Sequence, residues 1–145
     1  MMPDVRAVVA IGLQGQFGLD GRLPWEGNQD KVFVEDVERF FELTRGHVII
    51  MGPRTFVSVP DWAFKDRDIV QIRSSEPPAE VLARFPDRVV FIGGGPAVYE
   101  AYAPFIRLWD INRLPYEGAA DCWFDPRWLL KSPSGAIPPQ WRDKS

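Results

Sequence analysis

The chain has 145 residues, of which 46% are hydrophobic and 26% charged, a composition typical of a single folded domain spanning residues 1–145. Its 17 lysines and arginines are scattered among 20 aspartates and glutamates, whereas a nucleic-acid-binding protein carries a basic stripe. One cysteine and one histidine provide neither an internal disulfide nor a zinc site, and no apolar run or secretion signal suggests a membrane or an export route, so we expect a cytoplasmic protein without a metal.

The first half of the chain predicts two strands, each followed by a glycine-containing segment and a helix. An apolar run over residues 5–13 predicts a buried strand, and the glycines of residues 14–21 predict a flexible loop. Apolar residues recur every three or four positions over 31–45, which indicates a helix. Residues 47–51 predict a second strand, and the proline at 53 suits the first turn of a short helix reaching about residue 59.

The second half repeats this alternation of strands and helices. The predicted elements are a strand at 68–72, a helix at 78–85, a strand at 88–92, a helix at 96–105 and a strand at 108–114. Such alternation with short connections predicts an α/β domain with a largely parallel sheet. The tail after residue 126 shows no clear strand, and we expect it to pack partly and to fray at its end.

Two glycine segments follow predicted strands and precede predicted helices, at 52–55 and at 93–95. Ligands of open α/β sheets bind beyond the carboxyl ends of the strands, and helix starts favour phosphate groups. Two such starts suit a cofactor that contains a pyrophosphate. A tight turn is the alternative for a lone glycine triplet, and the position after the fourth strand does not match the Rossmann fingerprint.

The first helix carries the candidate acids, which are Asp30, Glu35, Asp36 and Glu38. Asp36 lies four residues before a phenylalanine and eight before a threonine, so it shares the apolar face of the helix. A carboxylate on that face is costly unless it meets a ligand or partner, and burial would raise its pKa. A solvated acid at a helix start is the alternative for each of the four.

Taken in order, these segments resemble the dihydrofolate reductase family. The resemblance runs from about residue 5 to residue 126 and rests on the glycine loop, the Leu-Pro-Trp of 23–25, the acid-bearing helix, and the segments 48–56 and 91–99. It implies a single-domain, three-layer α/β fold with a mainly parallel central sheet flanked by helices. It also implies NADPH-dependent reduction of 7,8-dihydrofolate to tetrahydrofolate by hydride transfer, in support of thymidylate and one-carbon metabolism.

The resemblance implies that Asp36 grips the pterin and helps to protonate its ring nitrogen, and that Trp25 orders water near the substrate. The family usually has fewer residues between this tryptophan and the acid, and that spacing from Trp25 favours Asp30 instead. The position of Asp36 within its helix favours Asp36. Asn112 stands where the family has a threonine that hydrogen-bonds the acid. The implied substrate pocket comprises Val8, Ala10, Val37, Phe40, Val59, Arg67, Ile92 and Asn112. Within it, Arg67 is expected to pair with the glutamate carboxylate of dihydrofolate, although Asp66 occupies the matching position.

The implied cofactor site combines the mobile loop over the nicotinamide with the two glycine segments. Its residues are Phe17, Gly18, Leu23, Gly52, Arg54, Thr55, Arg73, Ser74, Gly94, Gly95 and Tyr99. Pro53 replaces a basic residue that usually helps to hold the 2′-phosphate, so NADPH is the expected cofactor and NADH remains open.

Two other functions stay open on the sequence alone. One is the pyrimidine reductase of flavin biosynthesis, which shares the implied fold, and the other is a non-catalytic homologue that binds cofactor or folate. The second arises because the closing strands of the family have no clear match in the tail, which predicts a smaller sheet or an edge covered by another subunit. The expected partner is a small-molecule substrate, bound by a monomer or a homodimer.

Overall fold

The computed structural model describes residues 2–144 and contains a six-stranded sheet in which paired strands are parallel. In chain order the strands are β1 (Asp4–Ile11), β2 (Gln16–Gly18), β3 (Val48–Met51), β4 (Asp68–Gln71), β5 (Val89–Ile92), β6 (Leu108–Arg113), β7 (Cys122–Trp123) and β8 (Gln140–Asp143). The large sheet has the order β4-β3-β5-β1-β6-β8. The predicted α/β fold with a parallel sheet is confirmed.

Helices connect the parallel strands at both faces of the sheet. Those described within residues 2–144 are α1 (Lys31–Thr44), α2 (Pro53–Phe56), α3 (Pro78–Leu82) and α4 (Pro96–Tyr102), with 3-10 turns at Asp61–Lys65, Ala103–Phe105 and Pro126–Lys131. The last three α-helices begin at proline, whose fixed φ suits a first helical turn. The predicted helix after β5 ends earlier than expected, because its last residues form a 3-10 turn containing Pro104.

Alternation along the strands divides the core between the two faces of the sheet. One face packs against α3 and α4 in a cluster that includes Trp109 and Tyr102, both almost fully buried. The other face packs against α1 and α2 and includes Ile49, Met51 and Phe91. Residues that point to α1 therefore lie at every second position of β1 and β6, and this side of the sheet carries the polar residues considered below.

The glycine-rich segment after β1 is more ordered than the flexible loop that its composition predicts. Its centre forms β2, which pairs antiparallel with β7, and Leu19 bridges to Arg22 in a tight turn. The backbone N–H of Asp20 donates to the Asp121 carboxylate at 2.9 Å. The loop is thus attached to the segment before β7, a long-range pairing that local glycine content does not reveal.

The prediction that the tail has no clear strand is wrong. β8 lies parallel to β6, with Asp110 opposite Gln140 and Arg113 opposite Asp143. Charged side chains support this pairing, since Arg113 Nη1 lies 3.0 Å from Asp143 Oδ2. The sequence Gln-Trp-Arg-Asp is too short and too polar to be recognised as a strand by apolar periodicity. The edge of β6 is therefore covered by the chain itself.

Residues 2–144 contain no helix long and apolar enough to cross a membrane. In that same part of the chain, no group of three or more histidine, cysteine, aspartate or glutamate side chains is arranged to hold a metal ion.

Candidate functional site

A carboxylate on α1 meets an amide on β6 across the gap between helix and sheet. Asn112 Nδ2 donates to Asp36 Oδ1 at 2.7 Å, joining residues 76 positions apart in sequence. Asn112 is almost fully buried and Asp36 is half-buried. This hydrogen bond orients the carboxylate and occupies one of its two oxygens.

Burial raises the pKa of Asp36 above its usual range, and the hydrogen bond from Asn112 opposes this effect. The alternative acid, Asp30, is exposed and occupies the N-cap position of α1. Perturbed carboxyls in a cleft are typical of functional sites, whereas an exposed acid before a helix is a common solvated feature. The geometry therefore favours Asp36 as the candidate acid.

Two further polar atoms at this end of the gap are buried. Trp25 Nε1 and Asn112 Oδ1 have no hydrogen-bond partner among the described residues. The Trp25 ring is held by Phe33, with ring centroids 5.8 Å apart, and by Tyr116 at 5.5 Å. Buried polar atoms normally find partners, so two polar atoms buried without one are unusual and mark this region as a candidate site.

Most of the predicted pocket wall lies on the α1 face of the sheet. Val8, Phe40 and Val59 border the cluster around Phe91, and Ala10 packs beside Trp25. Val37 projects from α1 with 39% of its surface exposed, so it lies at the rim.

Ile92, which is predicted to line the substrate pocket, has its side chain on the other face of the sheet. Ile92 is fully buried in the cluster that packs against α3 and α4. Successive residues of a strand point to opposite faces, and the α1 face at this point of β5 is occupied by Phe91.

Arg67 was expected to pair with the substrate carboxylate, but its side chain is fully buried and serves the fold. Nη1 donates to the Ala63 carbonyl at 2.7 Å and lies 3.0 Å from Asp66 Oδ1, while Nη2 donates to the Phe41 carbonyl at 3.1 Å. The guanidinium also lies 5.3 Å from the centre of the Phe41 ring. These contacts leave Arg67 without a surface on which to bind a carboxylate.

We expect Arg67→Met to lower the free energy of unfolding by about 2–4 kcal/mol, because the Ala63 carbonyl loses its charged donor and the Phe41 carbonyl keeps only the longer bond from Thr44. KM for a pterin substrate should stay within about twofold in the folded protein, because no carboxylate contact is lost. Urea unfolding and steady-state kinetics measure both quantities. Asp66→Asn, which alters the exposed partner only, serves as the control. A large rise in KM without loss of stability would restore the substrate-binding role.

The two glycine segments meet at the carboxyl ends of β3 and β5. The backbone N–H of Gly52 donates to the Gly94 carbonyl at 2.8 Å. Gly94 has φ +107°, and its peptide bond to Gly95 is cis. A Cβ placed at Gly95 would meet only Thr55 Oγ1, at 3.8 Å, so it would fill the space between the starts of α2 and α4. The backbone thus forms a cradle open to a ligand.

This cradle fits a dinucleotide phosphate group. The first turns of α2 and α4 leave backbone N–H groups without intrahelical acceptors, and Thr55 adds a hydroxyl between them. Arg54 is exposed, and its guanidinium packs so closely beside Gly21 that a Cβ there would collide with it. Together they border a pocket of about 410 Å³ between the glycine loop and α2. Arg73 and Ser74 are exposed in the turn after β4.

The loop residues that are predicted to lie over the nicotinamide ring differ from one another in what they contact. Phe17 packs its ring 5.3 Å from that of Tyr99, within an aromatic cluster that also contains Phe124 and Trp128. Gly18 pairs with β7, and Leu23 is 39% exposed in the turn before Trp25. Tyr99 is buried between this cluster and the cradle at Gly94, where a Cβ would lie 3.6 Å from its ring.

Sequence reasoning missed a group of charged side chains beside Asp36. Arg39 Nη2 lies 2.6 Å from Asp110 Oδ2, and Arg142 Nη1 binds the other oxygen of the same carboxylate. Charged residues on a helix and on a polar tail are usually solvated, so neither pattern suggested a buried contact. The available signal was Asp110 itself, a charge that follows two apolar residues and precedes an isoleucine in β6.

Comparison with known proteins agrees with this arrangement. The sequence model of the family described as dihydrofolate reductase matches residues 4–129. A dihydromethanopterin reductase from Methylorubrum extorquens is 61% identical over 132 residues, which cover 91% of this chain and 98% of that protein. A dihydrofolate reductase from Staphylococcus haemolyticus is 24% identical over 131 residues, covering 83% of this chain and 75% of that protein.

A shorter match, to a dihydrofolate reductase from Mycobacterium leprae, is 39% identical over 59 residues, or 41% of this chain and 32% of that protein. The family match extends over both glycine segments, the acid-bearing helix and β6, which carry the candidate site residues. The chain belongs to the dihydrofolate reductase family of oxidoreductases.

Proposed function

We propose that this chain reduces a dihydropterin by hydride transfer from a nicotinamide dinucleotide, and that dihydromethanopterin is a better substrate than dihydrofolate. The observation that carries the pterin reductase is the Asp36–Asn112 pair, a half-buried carboxylate with a raised pKa at the mouth of an apolar gap. The substrate preference rests on the 61% identity to a dihydromethanopterin reductase and on the use of Arg67 within the fold.

The reaction adds a hydride to the carbon of a ring C=N bond and a proton to its nitrogen. Asp36, when ionised, accepts N–H donors from the pterin edge, and its raised pKa favours the protonated form from which a proton can be relayed. Asn112 holds the carboxylate in place, and the buried Trp25 indole N–H, which has no partner within residues 2–144, is a further candidate donor. The apolar wall formed by Val8 and Phe40 limits the access of water.

The residues for the cofactor are Gly52, Arg54, Thr55, Gly94 and Gly95, which would hold its phosphates. A reduced nicotinamide dinucleotide supplies the hydride when it is bound there. NADPH is the cofactor that the family resemblance favours, and Arg54 is the cation best placed for a 2′-phosphate. Because Pro53 provides no charge for the 2′-phosphate, we expect the protein to use NADH also, with a lower kcat/KM than for NADPH.

The preference for dihydromethanopterin over dihydrofolate is inferred from the contacts of Arg67. Dihydrofolate ends in a glutamate, and the resemblance assigns Arg67 to its carboxylate. In this chain both terminal nitrogens of Arg67 are bound by backbone carbonyls and by Asp66. Dihydrofolate would therefore keep its ring contacts with Asp36 and lose its ion pair, which predicts a higher KM.

The test follows the absorbance of the reduced nicotinamide at 340 nm with purified protein, dihydromethanopterin or dihydrofolate, and NADPH or NADH. We expect consumption that requires both substrates, with kcat/KM for dihydromethanopterin at least about tenfold above that for dihydrofolate, the size of one lost hydrogen bond to a charged group. Equal or reversed values would make the protein a dihydrofolate reductase. No turnover, together with measurable cofactor binding in a folded protein, would favour the flavin-pathway reductase or a non-catalytic homologue.

A further inference from the structure

We propose that Arg39, Asp110 and Arg142 form a charge network that positions Asp36 and balances the charge around it, so that strand β8 belongs to the substrate site. This inference rests on the proposed role of Asp36 in pterin reduction. It concerns three residues that neither the family resemblance nor the periodicity of the sequence had indicated. They are positioning residues, because they act on the substrate through Asp36.

The network begins with two matched pairs between α1 and β6. Asp36 and Arg39 are three residues apart on α1 and therefore share one helix face. Asp110 and Asn112 are two residues apart on β6 and share one sheet face. Asp36 accepts from Asn112 at 2.7 Å, and Arg39 Nη2 donates to Asp110 Oδ2 at 2.6 Å. Two adjacent contacts of this kind fix both the rotation and the height of the helix over the strand.

Strand β8 supplies the third member. Arg142 stands opposite Asn112 in the parallel pairing of β8 with β6, so its side chain lies on the same face of the sheet. Its Nη1 donates to Asp110 Oδ1, the oxygen that Arg39 does not use. The Asp110 carboxylate is thus shared between a helix and the edge strand, and the last strand of the sheet contacts the support of Asp36.

Because the network is buried, each of its charged side chains depends on its oppositely charged partner. Asp110 is 8% exposed, and Arg39 Nη1 is buried without a hydrogen-bond partner within residues 2–144. A buried charge left alone is strongly unfavourable, so removing one member affects the others. An apolar set of similar volume would hold helix and strand equally well. The charges are therefore best explained by their effect on the neighbouring carboxyl.

That effect has opposite signs for the two nearest charges. The positive charge of Arg39 lowers the pKa of Asp36, and the negative charge of Asp110 raises it. Asp36 is faced by Arg39 from its own helix and by Asp110 and the neutral Asn112 from β6, while Arg142 from β8 acts by neutralising Asp110. Because the two charges are opposite, their effects on Asp36 partly cancel, which is how the network balances the charge around this carboxyl.

The test compares Arg39→Gln, Asp110→Asn and Arg142→Gln by titrating Asp36 in the ligand-free protein, using carboxyl 13C NMR with the signal assigned from Asp36→Asn. Arg39→Gln and Arg142→Gln should raise the pKa of Asp36, and Asp110→Asn should lower it. In the assay with a dihydropterin, each variant should raise KM about three- to tenfold, because Asp36 loses its fixed position. The acidic limb of kcat/KM should move in the same direction as the NMR titration.

The chain offers a matched control at the opposite end of the sheet. Asp4 also lies between two arginines, with Arg6 Nη2 at 2.7 Å and Arg107 Nη2 at 3.0 Å, and this pairing lowers its pKa to about 2. Asp4→Asn should lower stability in urea and leave the Asp36 titration and KM unchanged. If Arg39→Gln and Asp110→Asn shift the titration in the same direction, or leave it unmoved, the network is structural only and the inference fails.

Arg142→Gln changes a partly exposed residue at an edge strand, so it keeps the test valid if either central variant does not fold. The NMR titration needs no substrate. A wild-type protein that reduces no dihydropterin would refute the proposed function, while the titration would still decide whether the three charges act on Asp36.

Discussion

Asp36→Asn is expected to lower kcat/KM for dihydropterin reduction by about 10²- to 10⁴-fold, the usual contribution of a positioned acid or base. The amide cannot hold or relay a proton, and it cannot provide the negative charge that the pterin edge would meet. Affinity for the nicotinamide cofactor should stay within about twofold, because the cradle at Gly94 and Gly95 lies across the sheet end from α1. Steady-state kinetics and a direct cofactor titration measure both quantities.

The same substitution should leave the fold intact or stabilise it at neutral pH. The pKa of Asp36 is raised in the folded protein, so folding favours the protonated carboxyl. Stability from this group is greatest at pH values below its unfolded pKa and declines as pH rises through the folded pKa. Asparagine does not ionise, so this decline in stability with rising pH is absent from the variant. Its side-chain carbonyl can still accept a hydrogen bond from Asn112.

Asp30→Asn is the matched control, since it makes the same chemical change in the exposed acid that precedes α1. We expect kcat/KM within about threefold of the wild-type value, with at most a small effect on helix capping, because no side-chain cap bond is formed there. If Asp30→Asn is the inactive variant and Asp36→Asn is active, the acid has been assigned to the wrong residue.

The parallel sheet was predictable because its inner strands are short apolar runs separated by helices. Residues of β3 are all buried, so hydrophobicity alone located this strand. β8 was not predictable in the same way, because its four residues are polar or exposed and pair through charged side chains. A strand held by its partner rather than by its own burial carries no periodic signal.

The candidate site also combines contacts that the sequence predicted with contacts that it did not. The contact between Asp36 and Asn112 was expected from the order of motifs, because each residue stands in a recognisable local context. Arg39 and Asp110 are 71 positions apart, and their contact depends on how α1 is turned over β6. The motif around Ile92 indicates where β5 ends but not which of two neighbouring side chains faces α1, and in the structure that side chain is Phe91.

Gly95→Val is expected to weaken cofactor binding by about 100-fold while leaving the stability of the fold within about 1 kcal/mol. Gly95 has φ −84° and ψ −157°, an extended conformation that valine adopts readily. A Cβ at this position meets only Thr55 Oγ1, at 3.8 Å, so the first carbon of a side chain enters without a clash. The branched side chain would instead fill the cradle between α2 and α4, where the phosphates are proposed to lie.

Gly93→Ala, two residues earlier in the chain, is expected to affect stability rather than cofactor binding. A Cβ on Gly93 would lie 2.7 Å from Ile49 Cγ2 and 3.2 Å from Met51 Cε, inside the packed core. Overpacking of this kind should lower the free energy of unfolding by about 1–3 kcal/mol, while cofactor affinity of the folded protein changes little. Cofactor titration and urea unfolding of both variants separate the two effects. Unchanged cofactor affinity in Gly95→Val would mean that the dinucleotide does not approach this backbone, because no other consequence of the substitution could conceal a lost phosphate contact.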